Sequence, residues 1–150
     1  MAFTWKLATF DKLSTHELYA ILRLRSEVFV VEQNCVFLDM DDKDQPSLHL
    51  MCWDNDHLAA CCRLVPPGIA YEEASIGRVV SSPARRGQGA GLQMMQHAIQ
   101  HTCDLFEVDT IKIGAQLYLE KFYGSLGFVS IGDTYLEDGI PHIHMLLKQQ

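Results

Sequence analysis

Three glycines at alternate positions stand where a strand-like run gives way to a helix-like run, in the stretch VVSSPARRGQGAGLQMM (residues 79–95). Glycine costs a helix about 1 kcal/mol relative to alanine, so Gly87, Gly89 and Gly91 are unfavourable unless something must approach the backbone closely. The first turn of a helix leaves backbone N–H groups without partners and carries a partial positive charge. The stretch therefore predicts an anion site built from main-chain amides, with Arg85 and Arg86 adding charge at its rim.

The spacing of these glycines excludes two familiar phosphate loops. No Gly-Lys-Ser or Gly-Lys-Thr follows them, as a P-loop requires, and GQGAG misses the G-x-G-x-x-G spacing of a dinucleotide-binding turn. The preceding strand also lies in mid-chain without a second mononucleotide-binding half. Taken alone, the glycines leave open a purely structural turn as well as a ligand site.

The composition restricts the class of partner. The 150 residues are 48% hydrophobic and carry a formal net charge of −7, which argues against general nucleic-acid binding. No apolar run approaches the roughly 20 residues that a membrane-spanning helix needs. The first residues, MAFTWKLATFDK, lack the apolar segment of a secretion signal. We expect one domain over residues 1–150 that works in the cytoplasm without a nucleic-acid or membrane partner.

The cysteines and the acidic residues give no sign of a metal site. The five cysteines form no CxxC pair, and the adjacent Cys61 and Cys62 point to opposite faces of a predicted strand. The acidic run LDMDDKDQP (residues 38–46) lacks the glycine and terminal glutamate of a calcium-binding EF-hand loop. We therefore expect the cysteines to be small core residues and the acidic run to be a solvated loop.

Hydrophobic periodicity predicts the element order β-α-β-β-β-α-β-α-β-β. The first helix is predicted over residues 14–33, where Ser14 and Glu17 have capping-box spacing, and the second follows the glycines with an apolar face that starts at Leu92. A strand–helix–strand unit in mid-chain implies a parallel crossover, while the flanking hairpins imply antiparallel pairs. We therefore expect an α/β (α+β) chain with a single mixed, mostly antiparallel sheet around a central parallel pair.

The glycine stretch resembles the signature of a known superfamily. The pattern R/Q-x-x-G-x-G/A of the GCN5-related N-acetyltransferases (GNAT) is matched by Arg86-Gly87-Gln88-Gly89-Ala90-Gly91. The preceding VVSSP is similar to the strand before that signature, and FYGSLGF (residues 122–128) resembles the second landmark, Y-x-x-x-G-F. Two further stretches, LRSEVFVVEQNC and EDGIPHIHM, resemble the ElaA-like branch of the superfamily.

The resemblance implies the acyl-CoA N-acyltransferase fold, in which two parallel strands splay apart where acetyl-CoA enters. In this chain the two strands are ASIGRVV and IKIGA. By position, the loop amides take the pyrophosphate, the strand end orients the thioester, and Gln116 stands where the family often has an asparagine. The residues that the resemblance assigns to acetyl-CoA are Val79, Val80, Ser81, Arg86, Gly87, Gln88, Gly89, Ala90, Gly91, Gln116 and Phe122.

The same resemblance makes Tyr123, the tyrosine of the second landmark, the general acid that protonates the departing thiolate. The alternative is that Tyr123 is only a packed aromatic residue beside Phe122 and Phe128. The glutamate that several relatives use as a base falls on Ile111, so the base is unassigned. The candidates, with proton loss to water as a further alternative, are Glu32, Glu72, Glu73, Asp138, His142 and His144.

In this family the first helix and its loop usually roof the acceptor site. The resemblance therefore assigns Phe29, Glu32 and Gln33 to substrate binding, and His142 is a further candidate from the last strand, where its spacing places it on one face with His144. Two arginines lie among apolar strand residues and need buried partners. The arginines are Arg63 and Arg78, and their candidate partners are Glu27, Glu32 and Asp39.

The resulting expectation is an acetyl-CoA-dependent N-acetyltransferase acting on a primary amine of a small molecule or peptide. One alternative is a module that binds or senses acyl-CoA without chemistry. Another is an acyltransferase of the acyl-homoserine-lactone type, suggested by RSEVFVVEQ followed by LDMDD, although the tryptophan expected after the phenylalanine is missing. A homodimer is expected only by analogy with similar folds.

Overall fold

The computed structural model describes residues 3–149, which contain seven strands and three α-helices. In chain order they are β1 (Thr4–Thr9), α1 (Thr15–Arg25), β2 (Leu48–Asp54), β3 (His57–Val65), β4 (Ser75–Ser81), α2 (Ala90–Phe106), β5 (Thr110–Gln116), α3 (Glu120–Ser125), β6 (Val129–Glu137) and β7 (Ile140–Lys148). This is the predicted order. None of the helices in residues 3–149 has the length and apolar character needed to span a membrane.

The strands pair antiparallel in two groups, β1-β2-β3-β4 and β5-β7-β6. The groups meet where β4 and β5 begin, through a parallel bridge between Ala74 and Ile111 and a 2.9 Å hydrogen bond from the Lys112 N–H to the Ala74 carbonyl. Beyond that point β4 and β5 diverge and a cavity opens between them. The expected mixed, mostly antiparallel sheet with a splayed central parallel pair is confirmed.

A β-bulge in β4 turns this strand beside the opening. Cys61 pairs with Val80 and Arg63 with Gly77, so two residues of β4 face one residue of β3. One of the two is Arg78, which adopts a positive φ of 48°. A bulge bends its strand and increases the local twist, which favours the separation of β4 from β5.

Apolar residues pack on both faces of the sheet. The larger core lies against α2 and α3 and includes Cys62, whereas the smaller core lies against α1 and includes Cys61, as their adjacent positions predict. Burial raises the pKa of the Cys61 thiol to about 12, so this cysteine is an inert core residue. On α2 the buried face includes Met94, Met95, Ala98 and Ile99. The prediction for Leu92 is wrong, because this residue lies beside that face and is 43% exposed.

The first helix begins as predicted but changes type. The Ser14 hydroxyl accepts a hydrogen bond from the Glu17 N–H at 3.0 Å, and the Glu17 carboxylate accepts one from the Ser14 N–H at 2.8 Å. The α-helix ends at Arg25 and continues as a π-helical segment over Ser26–Glu32. A single α-helix to residue 33 is therefore wrong in its last turns. Wider turns of this kind often occur at functional sites.

The acidic run is not a solvated loop, so that prediction is wrong. Its aspartates bind three arginines that extend from α1, β3 and β4, and both Asp39 and Asp44 are only 6% exposed. The ion pairs are Arg25 with Asp39 (2.7 Å) and Asp44 (2.8 Å), Arg63 with Asp41 (2.7 Å) and Asp44 (3.0 Å), and Arg78 with Asp39 (2.8 Å) and Asp41 (3.4 Å). Of the partners expected for Arg63 and Arg78, only Asp39 binds one of them, and that one is Arg78. We call this group the Arg–Asp cluster.

Candidate active site

A cavity of about 1050 Å³ lies between β4 and β5. Residues 76–81 of β4 form one wall, and residues 113, 114 and 116 of β5 form the other. The π-helical segment and the loop after it, residues 26–38, cross over the opening, and we call them the roof segment. Side chains from α3 and from the turn between β6 and β7 complete the lining.

The glycine loop opens towards this cavity as the start of α2. Gly89 is the N-cap residue, with φ +80°, and within residues 3–149 no side chain caps the helix. Gly87 has φ +83°, and a Cβ there would meet no atom of the described residues within 4 Å. The amides of the first turn are therefore accessible to an anion, and a diphosphate fits the donors present.

The two arginines before the loop have different partners. The Arg86 guanidinium donates to both carboxylate oxygens of Glu32, at 2.6 and 2.7 Å, and both residues line the cavity. Arg85 instead donates to Asp54 at 2.6 Å. Of the pair expected at the rim of the anion site, only Arg86 lies there.

Two further contacts hold the roof segment against the far wall. The side-chain amides of Gln33 and Gln116 hydrogen-bond at 3.4 Å, and the Cys35 thiol donates to the Asp138 carbonyl at 3.3 Å. With the Arg86–Glu32 pair, these contacts join the roof segment to the glycine loop, to the end of β5 and to the β6–β7 turn. The roof segment is therefore held over the cavity at three points.

Tyr123 of α3 is 6% exposed and lines the cavity. Its ring packs edge-on against Phe122, with 5.2 Å between ring centroids, and against Phe128, at 5.9 Å. Burial, together with the neighbouring Cys62 thiol and Tyr118 hydroxyl, raises the pKa of the Tyr123 hydroxyl well above its ordinary value. The phenol therefore keeps its proton at neutral pH, and burial makes it a weaker acid than a free tyrosine.

His142 of β7 lies opposite Gln116 of β5 and also lines the cavity, although it is only 6% exposed. Its Nδ1 lies 2.7 Å from the carbonyl oxygen of Ile140, and its Nε2 lies 3.5 Å from a carboxylate oxygen of Glu137. The Tyr135 ring stacks on both His142 and His144. The two histidines thus share one face of the strand, as their spacing predicts.

The structure gathers most of the predicted site residues around one cavity. Its lining includes Phe29, Glu32, Val79, Val80, Ser81, Arg86, Gly87, Gly91, Gln116, Phe122, Tyr123 and His142, while Gln88, Gly89 and Ala90 form the loop beside it. Three candidate bases lie outside the lining, because Glu72 and Glu73 line a separate depression of about 550 Å³ and His144 is not among the cavity residues. Among residues 3–149, no group of three or more histidine, cysteine, aspartate or glutamate side chains is arranged to hold a metal ion.

Sequence reasoning missed several residues of the lining, above all Glu137, Asp41 and Tyr118. Asp41 is brought there by the Arg–Asp cluster, which depends on contacts between distant segments. Glu137 offered a clearer signal, since it ends a predicted strand at the Asp138-Gly139 turn and therefore faces the start of the next strand. The register of a hairpin that turns at Asp138-Gly139 places Glu137 diagonally across from His142.

Comparison with known proteins gives the family. Residues 25–149 match the acetyltransferase (GNAT) domain. Protein ElaA of Escherichia coli (strain K12) is 40% identical over 143 residues, which cover 94% of this chain and 94% of that protein. The crystal structure of an acyl-CoA N-acyltransferase from Pseudomonas aeruginosa is similar with a TM-score of 0.92 at 42% identity, over 97% of this chain and 99% of that one.

A more distant structure shares the fold alone. It is a GNAT family acetyltransferase from Elizabethkingia anophelis with acetyl-CoA bound, at a TM-score of 0.65 and 14% identity, over 97% of each chain. The match to the domain and the ElaA relationship agree with the splayed strands and the glycine loop described above. The chain therefore belongs to the GNAT acetyltransferase family, and its resemblance to the ElaA-like branch is confirmed.

Proposed function

We propose that this protein is an N-acetyltransferase that takes an acetyl group from acetyl-CoA and transfers it to a primary amine of a small molecule or peptide. The observation that carries the proposal is the uncapped start of α2, which opens beside Arg86 onto the cavity between β4 and β5. Free amides at a helix start favour a diphosphate. A cavity of about 1050 Å³ is large for one small ligand, which supports a site shared by two substrates.

Three parts of the chain would hold acetyl-CoA. The amides of residues 87–91 and the Arg86 guanidinium would bind the diphosphate, and the main chain of residues 79–81 would lie along the pantetheine arm. Gln116 and Phe122 would bound the arm on the opposite wall. Because acetyl-CoA supplies an already activated thioester, the main task of the protein is to hold the two reactants in one orientation, which can lower the barrier by about 7 kcal/mol or more.

Tyr123 would assist departure of the thiolate. A thiol has an ordinary pKa near 8.5 and a phenol one near 10, so the proton transfer from tyrosine to sulfur is uphill by roughly 2 kcal/mol in water. Burial of Tyr123 adds to that cost but also guarantees that the hydroxyl is protonated. Tyr123 would therefore donate a hydrogen bond as negative charge builds up on sulfur, and complete the transfer as the C–S bond breaks.

Replacing Tyr123 with phenylalanine tests this role. Tyr123→Phe should lower kcat by about 100-fold, the lower range for loss of a general acid, while the Kd for coenzyme A changes little because only one oxygen is removed. Thiol release from acetyl-CoA in the presence of an amine gives kcat, and calorimetry gives the Kd. Tyr19→Phe, which removes the same oxygen from an exposed residue of α1, is the matched control. Equal kcat in Tyr123→Phe and the wild type would remove Tyr123 from the mechanism.

A panel of methylamine, lysine, spermidine and a short peptide with a free N-terminus tests the proposal as a whole. Acetylated product by mass spectrometry supports it. Binding of coenzyme A without turnover on any amine would favour an acyl-CoA sensor, and a lactone product would favour acyl-homoserine-lactone chemistry. If calorimetry detects no heat on mixing with coenzyme A, the acetyltransferase, the sensor and the lactone-forming enzyme all lose their basis.

Action in the cytoplasm and assembly as a homodimer belong to the same proposal. Cell fractionation tests the first, and light scattering tests the second.

A further inference from the structure

We propose that His142 is the general base of this transfer, and that Glu137 passes the proton from its ring to solvent. The inference rests on the proposed function, which leaves the base unassigned. His142 is buried, yet it lines the cavity, and it lies opposite the residue of β5 that the roof segment contacts. It therefore lies on the β5–β7 side of the cavity, where the roof segment contacts the end of β5.

The hydrogen bonds of the ring leave one nitrogen free to accept a proton. Nδ1 lies 2.7 Å from the Ile140 carbonyl oxygen. Because a carbonyl oxygen can only accept a hydrogen bond, Nδ1 carries the proton of the neutral ring and Nε2 presents its lone pair. Nε2 is thus the atom that can take a proton from an acceptor ammonium.

Glu137 gives the proton taken up by His142 a route to solvent. Its carboxylate oxygen lies 3.5 Å from Nε2, and its side chain is 61% exposed. Because the same carboxylate reaches solvent, the imidazolium can release its proton to water along this side after each turnover.

These groups account for every proton of the reaction. The acceptor ammonium gives one proton to Nε2 of His142, and the nitrogen lone pair attacks the thioester carbon. As the C–N bond forms, the C–S bond breaks, its electron pair goes to sulfur, and sulfur receives the proton of Tyr123. The second proton lost by the nitrogen restores Tyr123 through solvent, and the imidazolium gives its proton to water. The net products are the amide, the free thiol and one proton.

Two other carboxylates of the cavity are engaged in ion pairs. Glu32 is bound to Arg86, and Asp41 is bound to Arg63 and Arg78. Asp138 also lines the cavity, but a carboxylate is an intrinsically weaker base than an imidazole and accepts the proton of an ammonium less readily. His142 is therefore the residue of this cavity whose chemistry and hydrogen bonding both suit a base.

The groups that surround His142 do not replace it in this role. From the elements packed around it, the titratable side chains are Tyr135 and Glu137 of β6, Asp138 of the turn, His144 of its own strand, and Glu32 and Cys35 of the roof segment. Burial raises the pKa of Tyr135 to about 12, so this phenol stays protonated. His144 also stacks on the Tyr135 ring, with 4.5 Å between ring centroids, but it is not among the residues that line the cavity.

The test uses His142→Asn, because the asparagine amide can still donate to the Ile140 carbonyl while the basic nitrogen is lost. With acetyl-CoA and the amine of the panel that reacts fastest, kcat/KM at pH 7 should fall about 100-fold or more. The deficit should narrow as the pH rises towards 10, because an amine with a pKa near 10.4 then loses its proton without a base. A merely structural role would lower kcat/KM by the same factor at every pH.

Two further variants serve as controls. His144→Asn changes the same residue type on the same face, stacked on the same tyrosine, and should keep the wild-type pH profile. Glu137→Gln alters an exposed side chain, so this variant should fold normally. Its kcat/KM at pH 7 should fall less than that of His142→Asn, and the difference from the wild type should also become smaller at high pH. A His142→Asn protein with wild-type kcat/KM at pH 7, or with a deficit independent of pH, overturns the inference. If the wild type itself binds no coenzyme A and forms no product, the proposed function fails instead.

Discussion

The left-handed backbone of Gly89 sets the conformation of the glycine loop at the start of α2. At φ +80° a side chain costs about 1 to 2 kcal/mol, whereas Gly91 lies outside the left-handed region and a Cβ there would meet only the Ser81 hydroxyl, at 3.4 Å. Gly89→Ala should therefore lower the free energy of unfolding by about 1 to 2 kcal/mol. Gly91→Ala should raise it by up to about 1 kcal/mol, since alanine favours the helix. Urea unfolding of both proteins measures the difference, and equal destabilisation would contradict this explanation.

Residues whose role follows from local spacing could be predicted from the sequence. Gly87 and Gly89 were expected in a turn and adopt positive φ, and Tyr123, assigned by resemblance to the second landmark, lines the cavity. The backbone conformation of Arg78 could not be predicted in this way. Nothing in SIGRVVS predicts an arginine at φ 48°, because the bulge depends on how β4 pairs with β3 and on the ion pair that holds Arg78 to Asp39.

Under the proposed function, Glu32 of the roof segment and the diphosphate of acetyl-CoA would compete for Arg86. Since Glu32 accepts two hydrogen bonds from this guanidinium, a diphosphate must displace or share it. We expect Glu32→Gln to bind coenzyme A severalfold more tightly at low salt, with a smaller gain at about 0.5 M salt because exposed charges are then screened. Calorimetry at the two salt concentrations measures this gain.

Glu27→Gln is the matched control for that prediction, because it removes the same charge from another exposed residue of the roof segment. It should change the affinity much less than Glu32→Gln. Weaker binding of coenzyme A by Glu32→Gln at both salt concentrations would show the opposite role, in which Glu32 orients Arg86 for the ligand.

Elements with a regular period could be predicted, and elements shaped by their neighbours could not. The β6–β7 hairpin turns at Asp138-Gly139, both at positive φ, as the sequence indicates. The change from α-helix to π-helix after Arg25 carries no such signal. Its apolar residues keep helical spacing, and the wider turn coincides with the point where Arg25 is drawn towards Asp39 and Asp44.

The Arg–Asp cluster joins parts of the chain that the sequence keeps far apart. Arg25 lies 14 residues from Asp39, and Arg78 lies 39 residues from it, so α1, the acidic run, β3 and β4 meet at one buried network. The acidic run was predicted to be solvated because its own composition is polar. Its aspartates are instead bound by arginines on other elements, because a buried guanidinium requires a partner. The cluster therefore fixes α1 and the roof segment over the cavity.

Asp44 is the best place to test this network, because it binds both Arg25 and Arg63. Although burial raises the pKa of its carboxyl, the hydrogen bonds from the two arginines outweigh burial and hold the pKa below its usual value. Asp44→Asn should lower the free energy of unfolding at pH 7 by roughly 3 kcal/mol, the low end for breaking a buried ion pair.

The pH dependence of that loss is the sharper measurement. A carboxylate with a lowered pKa in the folded state stabilises the protein above its unfolded pKa of about 3.9, and this stabilisation disappears as the pH falls through the lowered value. The difference between the wild type and Asp44→Asn should therefore be full at pH 7 and shrink once the pH falls below about 4. Asp42→Asn, the same change at an exposed residue of the same run, should show neither effect. A difference that persists unchanged at pH 3 would mean that Asp44 acts through packing and not through its charge.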